Sequence, residues 1–256
     1  MMQPKGIYAL WYRESKVFAR QRSRVISSIA NPLLWFAFVG GGIGSVVSIE
    51  GINYQTFIYP GVLMQAVIFS SIFYGVYIVW DKRIDFLKEV IVSPMSRTSI
   101  FIGKVLGGST ETTIQTVILL LIAIALSAAG LMHGINLNPL TLLLTFIILS
   151  ITTAGMASVG LILGSQMESP EGFELVISFV IFPLFFLSGA LYPINNLPPW
   201  LAPLTLLDPA TYAVDALRAT LLGTSTFPMA LDIAVITAFT ALMITIGTQA
   251  FKKMKI

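Results

Sequence analysis

Cysteine is absent from this 256-residue chain, and histidine occurs only once, at His133. Without cysteine the chain can form no disulfide, no thiol nucleophile and no thiolate-ligated metal or iron–sulfur site. With one histidine it has no HExxH motif, no histidine cluster and no Ser/His/Asp arrangement. The sequence therefore offers little material for catalysis, and we do not expect an enzyme.

Charge is also scarce, because Asp, Glu, Lys and Arg make up only 11% of the residues, against about 25% in an ordinary soluble domain. A transmembrane helix needs about 20 apolar residues to cross the hydrocarbon core. None of the four charged residue types occurs in five long runs, at residues 25–49, 51–80, 112–167, 175–207 and 233–251. The sequence therefore predicts a polytopic membrane protein.

These runs predict six transmembrane helices in an all-α integral membrane protein that forms a single domain, residues 1–256. The run 112–167 is too long for one crossing, and it breaks near 130–139, where Gly134 and Pro139 supply turn chemistry. The predicted spans lie near residues 31–48, 55–80, 105–129, 140–165, 172–191 and 229–250. An even number of spans places both termini on the same side.

The basic residues predict which side that is. With both termini in the cytoplasm, 14 of the 15 Lys and Arg residues lie inside, in the N-terminal segment, the loop 81–104 and the C-terminal tail. Only Arg218 then lies outside, as the positive-inside rule favours. The same distribution explains the net charge of +3 without a nucleic-acid partner.

Residues 5–30 predict an amphipathic helix at the membrane interface. Basic residues recur every three or four positions from Arg13 to Arg24 and line one face, with apolar residues on the other. Such a helix lies in the headgroup plane, where anionic lipid holds it. The pattern fits a basic anchor for membrane insertion and also a lever against a cytoplasmic partner.

Residues 81–104 form a long connection between the second and third spans and mix acidic with basic residues. Apolar residues between Ile84 and Ile91 recur at helical spacing, which predicts a short amphipathic helix that Pro94 interrupts. We expect a helix exposed to the cytoplasm to serve as a docking surface. The alternative is a solvated loop with one helical turn.

Residues 192–228 contain six prolines, which exclude one continuous helix. The apolar stretches between them are roughly ten residues long, which suits external re-entrant or interfacial half-helices. Asp215 and Arg218 stand three positions apart, so we expect an ion pair on a helix. A contact between Arg218 and substrate is the alternative.

Few polar side chains fall inside the predicted spans. Glu111 lies about two turns into the third span, and a buried carboxylate there usually marks a proton relay or an ion site. It is also close enough to the cytoplasmic end to reach water or a basic partner. Five aromatic residues predict an apolar substrate path, with ordinary packing or lipid contact as the alternative: Phe179, Phe182, Phe185, Phe186 and Tyr192.

Two stretches of sequence carry a family resemblance. One is FLKEVIVSPMSR at 86–97, followed by Gly103-Lys104; the other combines FLSG at 186–189, Tyr192-Pro193 and DPATYAVDALR at 208–218. They are similar to the coupling-helix motif and the external re-entrant signature of ABC transporter type-2 permeases. Within that family, DPATYAVDALR most resembles daunorubicin-type drug exporters and nodulation lipo-oligosaccharide exporters.

Two positions depart from the family's pattern. Asp85 stands where many members have Gly, and Asp208 stands where many have Asn.

The resemblance implies the permease subunit of an ATP-driven ABC exporter in the plasma (inner) membrane of a prokaryote. The chain has no GxxxxGK[ST] phosphate-binding loop. A separate ATPase, in two copies, would therefore bind ATP and Mg, and this chain would bind no cofactor. A second permease subunit and membrane lipids complete the implied partners. The implied cargo is an amphipathic or hydrophobic drug-like or lipid-like molecule.

The resemblance also assigns site residues. Leu87 and Ile91 would fill an apolar pocket on the ATPase, and Lys88 and Glu89 would pair at its rim. Pro94 would fix the turn, and Arg97 and Lys104 would anchor the loop to phosphate headgroups or to the partner. The whole ATPase-coupling set is Phe86, Leu87, Lys88, Glu89, Ile91, Ser93, Pro94, Arg97 and Lys104. The external element would use Asp208, Pro209, Asp215 and Arg218.

Three other functions stay open. An exporter of lipid-linked glycan or lipo-oligosaccharide would share this architecture. A secondary transporter would need a titratable group in the membrane, and Glu111 is the residue that comes closest to one. A membrane scaffold without transport activity would show no flux linked to nucleotide.

Overall fold

The computed structural model describes residues 3–44, 46–49, 51–92 and 95–254. Within these residues six helices are long and apolar enough to cross a membrane, which confirms the all-α integral membrane fold. We number them span 1 to span 6: Arg22–Gly44, Tyr54–Arg83, Arg97–Ala128, Pro139–Gln166, Pro170–Leu187 and Met229–Lys253.

An N-terminal helix, Pro4–Arg20, precedes span 1 and ends at Gln21, whose backbone (φ −90°, ψ 74°) leaves the helical region. The predicted interfacial helix over 5–30 is therefore wrong in its C-terminal third. Span 1 begins at Arg22, nine residues earlier than the sequence predicted. The sequence pattern placed Arg24 among the interfacial charges, whereas Glu111 of span 3 pairs with it inside the bundle.

Two spans are assembled from shorter segments. Span 1 consists of Arg22–Trp35, a π-helical turn Phe36–Gly40, and Gly41–Gly44. Span 2 consists of Tyr54–Phe57, Tyr59–Phe73 and Val76–Arg83. Two-residue strands join the spans: Ser48–Ile49 pairs antiparallel with Ile52–Asn53. Gly51, at φ 78°, makes the turn that a residue with a side chain would resist.

Span 2 is the central helix, because more of it is buried than of any other span. It meets span 4 through glycines: a Cβ built on Gly160 would overlap the carbonyl of Ile72, and one on Gly164 would overlap the carbonyl of Gly75. Glycines four residues apart let two helix backbones approach this closely in a membrane.

The remaining helices are short. They are the loop helix Phe86–Val92, a 3-10 turn Ile194–Asn196, and the helices Ala202–Leu207 and Pro209–Leu221. We call Pro209–Leu221 the inserted helix, because it packs against spans 2, 4 and 6 and ten of its 13 residues are buried. The half-helix predicted between the prolines is therefore present, and protein surrounds it.

The turn predicted between spans 3 and 4 is confirmed. Gly130 and Gly134 adopt positive φ (73° and 81°), and the Asn138 side chain caps span 4 by accepting from the Thr141 amide at 2.8 Å. Pro139 follows as the first helical residue, where its missing N–H costs nothing.

The bundle has two distinct ends. The N-terminal helix, the loop helix and the chain's last described residues gather at one end, which we call the basic end. The turn at Gly134 and the inserted helix lie toward the other, which we call the opposite end, where the Asn136 amide donates to the Leu221 carbonyl. One apolar core fills the spans, and a second joins the elements of the basic end.

Candidate functional site

The loop helix at the basic end is packed on one side and exposed on the other. Leu87 is completely buried and Val90 nearly so, in the second apolar core with Leu10 of the N-terminal helix and Phe251 of span 6. The predicted insertion of Leu87 into an ATPase pocket is therefore wrong, because this chain's own helices already surround that side chain.

The exposed side of the loop helix is available to a partner. Val92 is 86% exposed, Ile84 just before the helix is 65% exposed, and Glu89 is exposed as well. We call Ile84, Glu89 and Val92 the exposed face. Among the other predicted coupling residues, Phe86 is half-buried. The side chains of Lys88 and Ile91, and all of Ser93 and Pro94, lie outside the part of the chain that the structure describes.

Asp85 starts the loop helix with φ 56°, the only described residue other than glycine with positive φ. Asp and Asn tolerate this left-handed conformation better than other side chains, and Gly adopts it freely. The backbone at this position is therefore compatible with either an aspartate or a glycine.

Two basic residues that flank the loop helix cap other spans. Lys82 donates to the carbonyls of Gly164, Ser165 and Met167 at the end of span 4, at 3.2, 2.6 and 3.1 Å. Arg97 donates to the carbonyls of Lys252 and Met254 at the end of span 6, at 3.0 and 2.6 Å. A cation at a helix C-terminus satisfies carbonyls that lack an intrahelical partner and complements the helix dipole.

The position of Arg97 also corrects a prediction. Its guanidinium binds this chain's own C-terminal backbone, a contact that the predicted anchoring to phosphate headgroups or to the partner did not include.

Lys104 lies in a cluster of four charges, of which three are buried and the fourth, Arg13, is partly exposed. Its ammonium, only 1% exposed, binds Glu14 of the N-terminal helix at 2.9 Å and also pairs with Asp81 of span 2. Arg13 binds Glu14 at 2.7 Å and Asp81 at 3.5 Å. The predicted anchoring of Lys104 to headgroups or a partner is wrong, because the side chain is buried and both its acidic neighbours belong to this chain.

The cluster is electrically balanced, with two acids and two bases. Burial alone raises the pKa of Glu14, but the charge and hydrogen bond of Lys104 and the charge of Arg13 outweigh it, so the pKa lies below its ordinary value. The carboxylate form is therefore the favoured one. Buried charges paired in this way hold three helices in one arrangement, because breaking one pair strands the other charge.

A second buried pair lies further along the same helices. The Arg24 Nε atom of span 1 donates to Glu111 of span 3 at 2.7 Å, and a second nitrogen of the same guanidinium also binds that carboxylate. The guanidinium carbon lies 3.9 Å from the ring centroid of Tyr77. Glu111 therefore has a fixed basic partner, which was one of the two outcomes that its position in the sequence allowed.

A cavity of about 420 Å³ opens beside this pair, between spans 1, 2 and 3. Its wall combines polar and apolar side chains. They include Arg24, Ser27, Asn31, Gln65, Phe69, Phe73, Tyr77, Glu111 and Gln115. Pockets of this size and mixed lining are typical of sites for small molecules.

The aromatic residues of span 5 divide into two groups. Phe185 is 2% exposed and contacts Phe69 and Trp35, with ring centroids 5.9 and 6.1 Å apart, so it packs in the core and cannot line an open path. Phe179, Phe182 and Phe186 are exposed on the outside of span 5. Tyr192, half-buried, donates its hydroxyl to the Phe186 carbonyl.

The residues predicted to act in the 192–228 element stabilise the inserted helix and the backbone that follows it. Asp208 caps it by accepting from the Ala210 amide at 2.8 Å, with Pro209 as the first helical residue. Asp215 accepts from the backbone amides of Thr226 and Phe227. These contacts fold the 192–228 segment back on itself.

Arg218 of the same helix donates to the Gly189 carbonyl at 2.6 Å. It also lies 4.2 Å from the ring centroid of Phe57 in span 2. The side chain therefore joins the end of span 5 and span 2 to the inserted helix.

Glu14 was not predicted from the sequence, although a signal was present. Glu14 falls between Leu10 and Phe18 at four-residue spacing on the buried face of the N-terminal helix, and a carboxylate on an apolar face requires a buried partner. Asp232 was also missed: it is buried at the start of span 6, and its oxygens have no partner among the described residues.

Comparison with known proteins identifies the family. The family model for ABC-2 type transporters matches residues 5–222. The inner membrane transport permease YadH of Escherichia coli K12 is 28% identical over 91% of this chain and 90% of its own length. Nodulation protein J is 21% identical in Rhizobium leguminosarum bv. viciae and 24% in Rhizobium meliloti, over 96% of this chain and 93% and 92% of those proteins. The chain therefore belongs to the ABC-2 type transporter family and is a multi-pass transport permease.

Proposed function

We propose that this chain is the permease subunit of an ATP-driven exporter that moves an amphipathic or hydrophobic molecule out of the cytoplasm. A separate ATPase, in two copies, would bind ATP and Mg and supply the energy. A second permease subunit would complete the assembly. ABC-2 permeases normally work with an ATP-binding subunit, and this supports the proposal.

The basic end would face the cytoplasm. Its charges come from the N-terminal segment, the loop between spans 2 and 3, and the C-terminal tail, which together hold nearly all the Lys and Arg residues. Lysine and arginine near span ends favour the cytoplasmic side. This orientation would leave the inserted helix toward the outside.

The observation that carries the proposal is the two-sided burial of the loop helix. Leu87 holds the helix against the bundle, while Ile84, Glu89 and Val92 face outward. Exposed apolar side chains near a charge are a feature of protein-binding surfaces. The ATPase would bind the exposed face, and the buried face would carry its movement into the bundle.

Three connections would transmit that movement. Lys82 holds the end of span 4, and Arg97 holds the end of span 6. Arg13 connects the N-terminal helix to the loop helix, with its guanidinium carbon 3.7 Å from the ring centroid of Phe86. A push on the loop helix would therefore reach spans 4 and 6 and the N-terminal helix together.

A cargo of lipid-linked glycan or lipo-oligosaccharide is the alternative candidate. Two relatives carry the name nodulation protein J and align with nearly the whole chain, which favours it. A secondary transporter built on Glu111 is less well supported, because Arg24 already occupies that carboxylate.

The proposal can be tested by co-purification. The chain would be tagged at its C-terminus, purified from native membranes in mild detergent and analysed for a stoichiometric P-loop ATPase. We expect Glu89→Arg and Val92→Asp to lose that ATPase. Glu174→Arg reverses a charge that is also exposed, in the first turns of span 5, and should retain the ATPase. Absence of an ATPase from folded, unmutated protein would overturn the proposal, as would its retention by all three variants.

A further inference from the structure

Span 6 begins with a buried acid that has no partner among the described residues. Asp232 lies in the first turn of this span and is 0% exposed. Neither of its carboxyl oxygens takes part in a hydrogen bond or ion pair with a described residue. An ionised carboxylate at such a position loses its hydration and gains no donor in return, whereas the neutral acid avoids most of that cost.

The nearest acidic neighbour adds to this cost. Asp215 of the inserted helix is close enough for its charge to act on Asp232. Both oxygens of Asp215 accept from the Thr226 amide, at 2.8 and 3.0 Å, and one of them also accepts from the Phe227 amide at 2.8 Å. These bonds fix Asp215 in place, so a second negative charge at Asp232 would be repelled.

The other elements that pack against span 6 do not offset this repulsion. They are spans 3 and 4 and the inserted helix. Residues 112–167 contain no Asp, Glu, Lys or Arg, and His133, in the turn between spans 3 and 4, is exposed. Arg218 of the inserted helix directs its guanidinium to the end of span 5 and to span 2. The N-terminal dipole of span 6 favours an anion, but by less than burial of that anion costs.

The two acids lie on either side of the connection 222–228, which packs on the inserted helix. Besides the amides that bind Asp215, the ring of Phe227 stacks on Tyr212, with centroids 5.3 Å apart. Asp232 is buried just after this connection. Ionised Asp232 would place two like charges across this junction, and separating span 6 from the inserted helix would let water hydrate both.

We propose that Asp232 binds a proton in the folded protein and that this proton keeps the start of span 6 closed against the inserted helix. Loss of the proton to water leaves a carboxylate, which opens the junction. A rise in pH on this side of the bundle therefore opens it. The proposal does not depend on the exporter function. Only the assignment of this side to the outside of the cell follows from the proposed orientation.

The first test detects the proton directly. The full-length protein would carry Asp208→Asn, which removes the titration of another buried acid of the 192–228 element. Infrared spectra would be recorded in dodecyl maltoside, a detergent without a carbonyl group. We expect Asp232→Asn to remove one carboxylic-acid carbonyl band at pH 6. Glu174→Gln, which removes an exposed carboxyl group, should remove none.

The second test measures opening in the same Asp208→Asn background. Because the chain lacks cysteine, Leu221→Cys places its only thiol at a buried position at the end of the inserted helix. Ser225→Cys places the thiol at an exposed position nearby. The ratio of the two maleimide-labelling rates, buried to exposed, removes the effect of pH on the thiol itself.

We expect this ratio to rise between pH 5 and pH 9. The rise should reach up to about tenfold per pH unit while the closed state holds a proton that the open state has released. With Asp232→Asn the ratio should stay level, because an amide cannot ionise.

An infrared spectrum that keeps all its acid bands in Asp232→Asn would overturn the proposal. A labelling ratio that does not change with pH would overturn it as well, and this measurement needs no Asp232 variant. A pH-dependent ratio that persists in Asp232→Asn would assign the opening to another group and exclude Asp232. These outcomes are the same whether or not the chain recruits an ATPase, so the exporter function is tested separately.

Discussion

Lys104 and Glu14 lie 90 positions apart in the chain, and their ammonium and carboxylate groups meet at 2.9 Å in a site where both side chains are buried. This contact joins span 3 to the N-terminal helix. Asp81 of span 2 binds the same ammonium. The N-terminal helix is therefore a fixed part of the bundle.

Removing the central ammonium should destabilise the protein strongly. Lys104→Met would leave the two buried carboxylates, Glu14 and Asp81, with only the partly exposed Arg13 as a cation, at a cost of about 3–5 kcal/mol. Thermal unfolding in detergent should show a much lower midpoint than for Lys253→Met, the same change at an exposed position. The triple variant Glu14→Gln/Asp81→Asn/Lys104→Met should recover much of the loss. Equal midpoints for the two single variants would contradict the cluster's role.

The cluster also predicts a pH dependence. The pKa of Glu14 is lowered from 4.5 in the folded protein, so ionised Glu14 contributes stability above about pH 4.5, and that contribution is lost as the pH falls through the lowered pKa. We expect the unmutated protein to unfold at a higher temperature than Glu14→Gln at pH 7. The two unfolding midpoints should converge as the pH is lowered to 3. A gap that does not change with pH would refute this account.

The contact between spans 2 and 4 predicts intolerance to one methyl group. Gly160→Ala would force a Cβ into the carbonyl of Ile72, and overpacking of this kind costs about 1–3 kcal/mol. Gly41→Ala in span 1 is the matched control, because nothing lies within 4 Å of its Cβ position. The control should melt no lower than the unmutated protein. If Gly160→Ala has the same unfolding midpoint as Gly41→Ala, the backbones of spans 2 and 4 are not in contact.

Asp208 should be replaceable by Asn and not by Ala. Both Asp and Asn can accept the Ala210 amide, whereas Asp208→Ala loses the cap, at a cost of about 1 kcal/mol. Burial raises the pKa of Asp208 to about 7, against the lowering effect of the Ala210 amide. Ionising Asp208 therefore destabilises the folded protein, and stability falls as the pH rises from about 4 to about 7.

Asp208→Asn should remove this pH dependence and melt above the unmutated protein at pH 8. Unfolding midpoints at pH 5 and pH 8 for the three proteins provide the measurement. A lower midpoint for Asp208→Asn at both pH values would show that the carboxylate makes a contact beyond the cap.

Most of the fold was predictable because membrane crossing imposes a local rule. About 20 apolar residues must be consecutive, and turn residues must separate them. Gly134, Pro139 and the proline-rich 192–228 segment therefore marked boundaries correctly. The loop helix could also be predicted, because its apolar residues repeat at helical spacing.

What the apolar face of the loop helix packs against could not be predicted in the same way. Periodicity shows that Leu87 lies on an apolar face, but it does not say whether that face meets this chain or a partner. The apolar core of the basic end decided the question, since Leu87 is buried in one cluster with Leu10 and Phe251, which are distant in the sequence.

The sequence by itself determined the number of spans, the family motifs and the segments where charge concentrates. Tertiary structure alone decided which charges are buried, because Glu14 with Lys104 and Arg24 with Glu111 become partners only when helices about 90 residues apart pack together. A single charge in a sequence gives no sign of its partner. Electrostatic pairing depends on distance in space, and the helix bundle sets that distance.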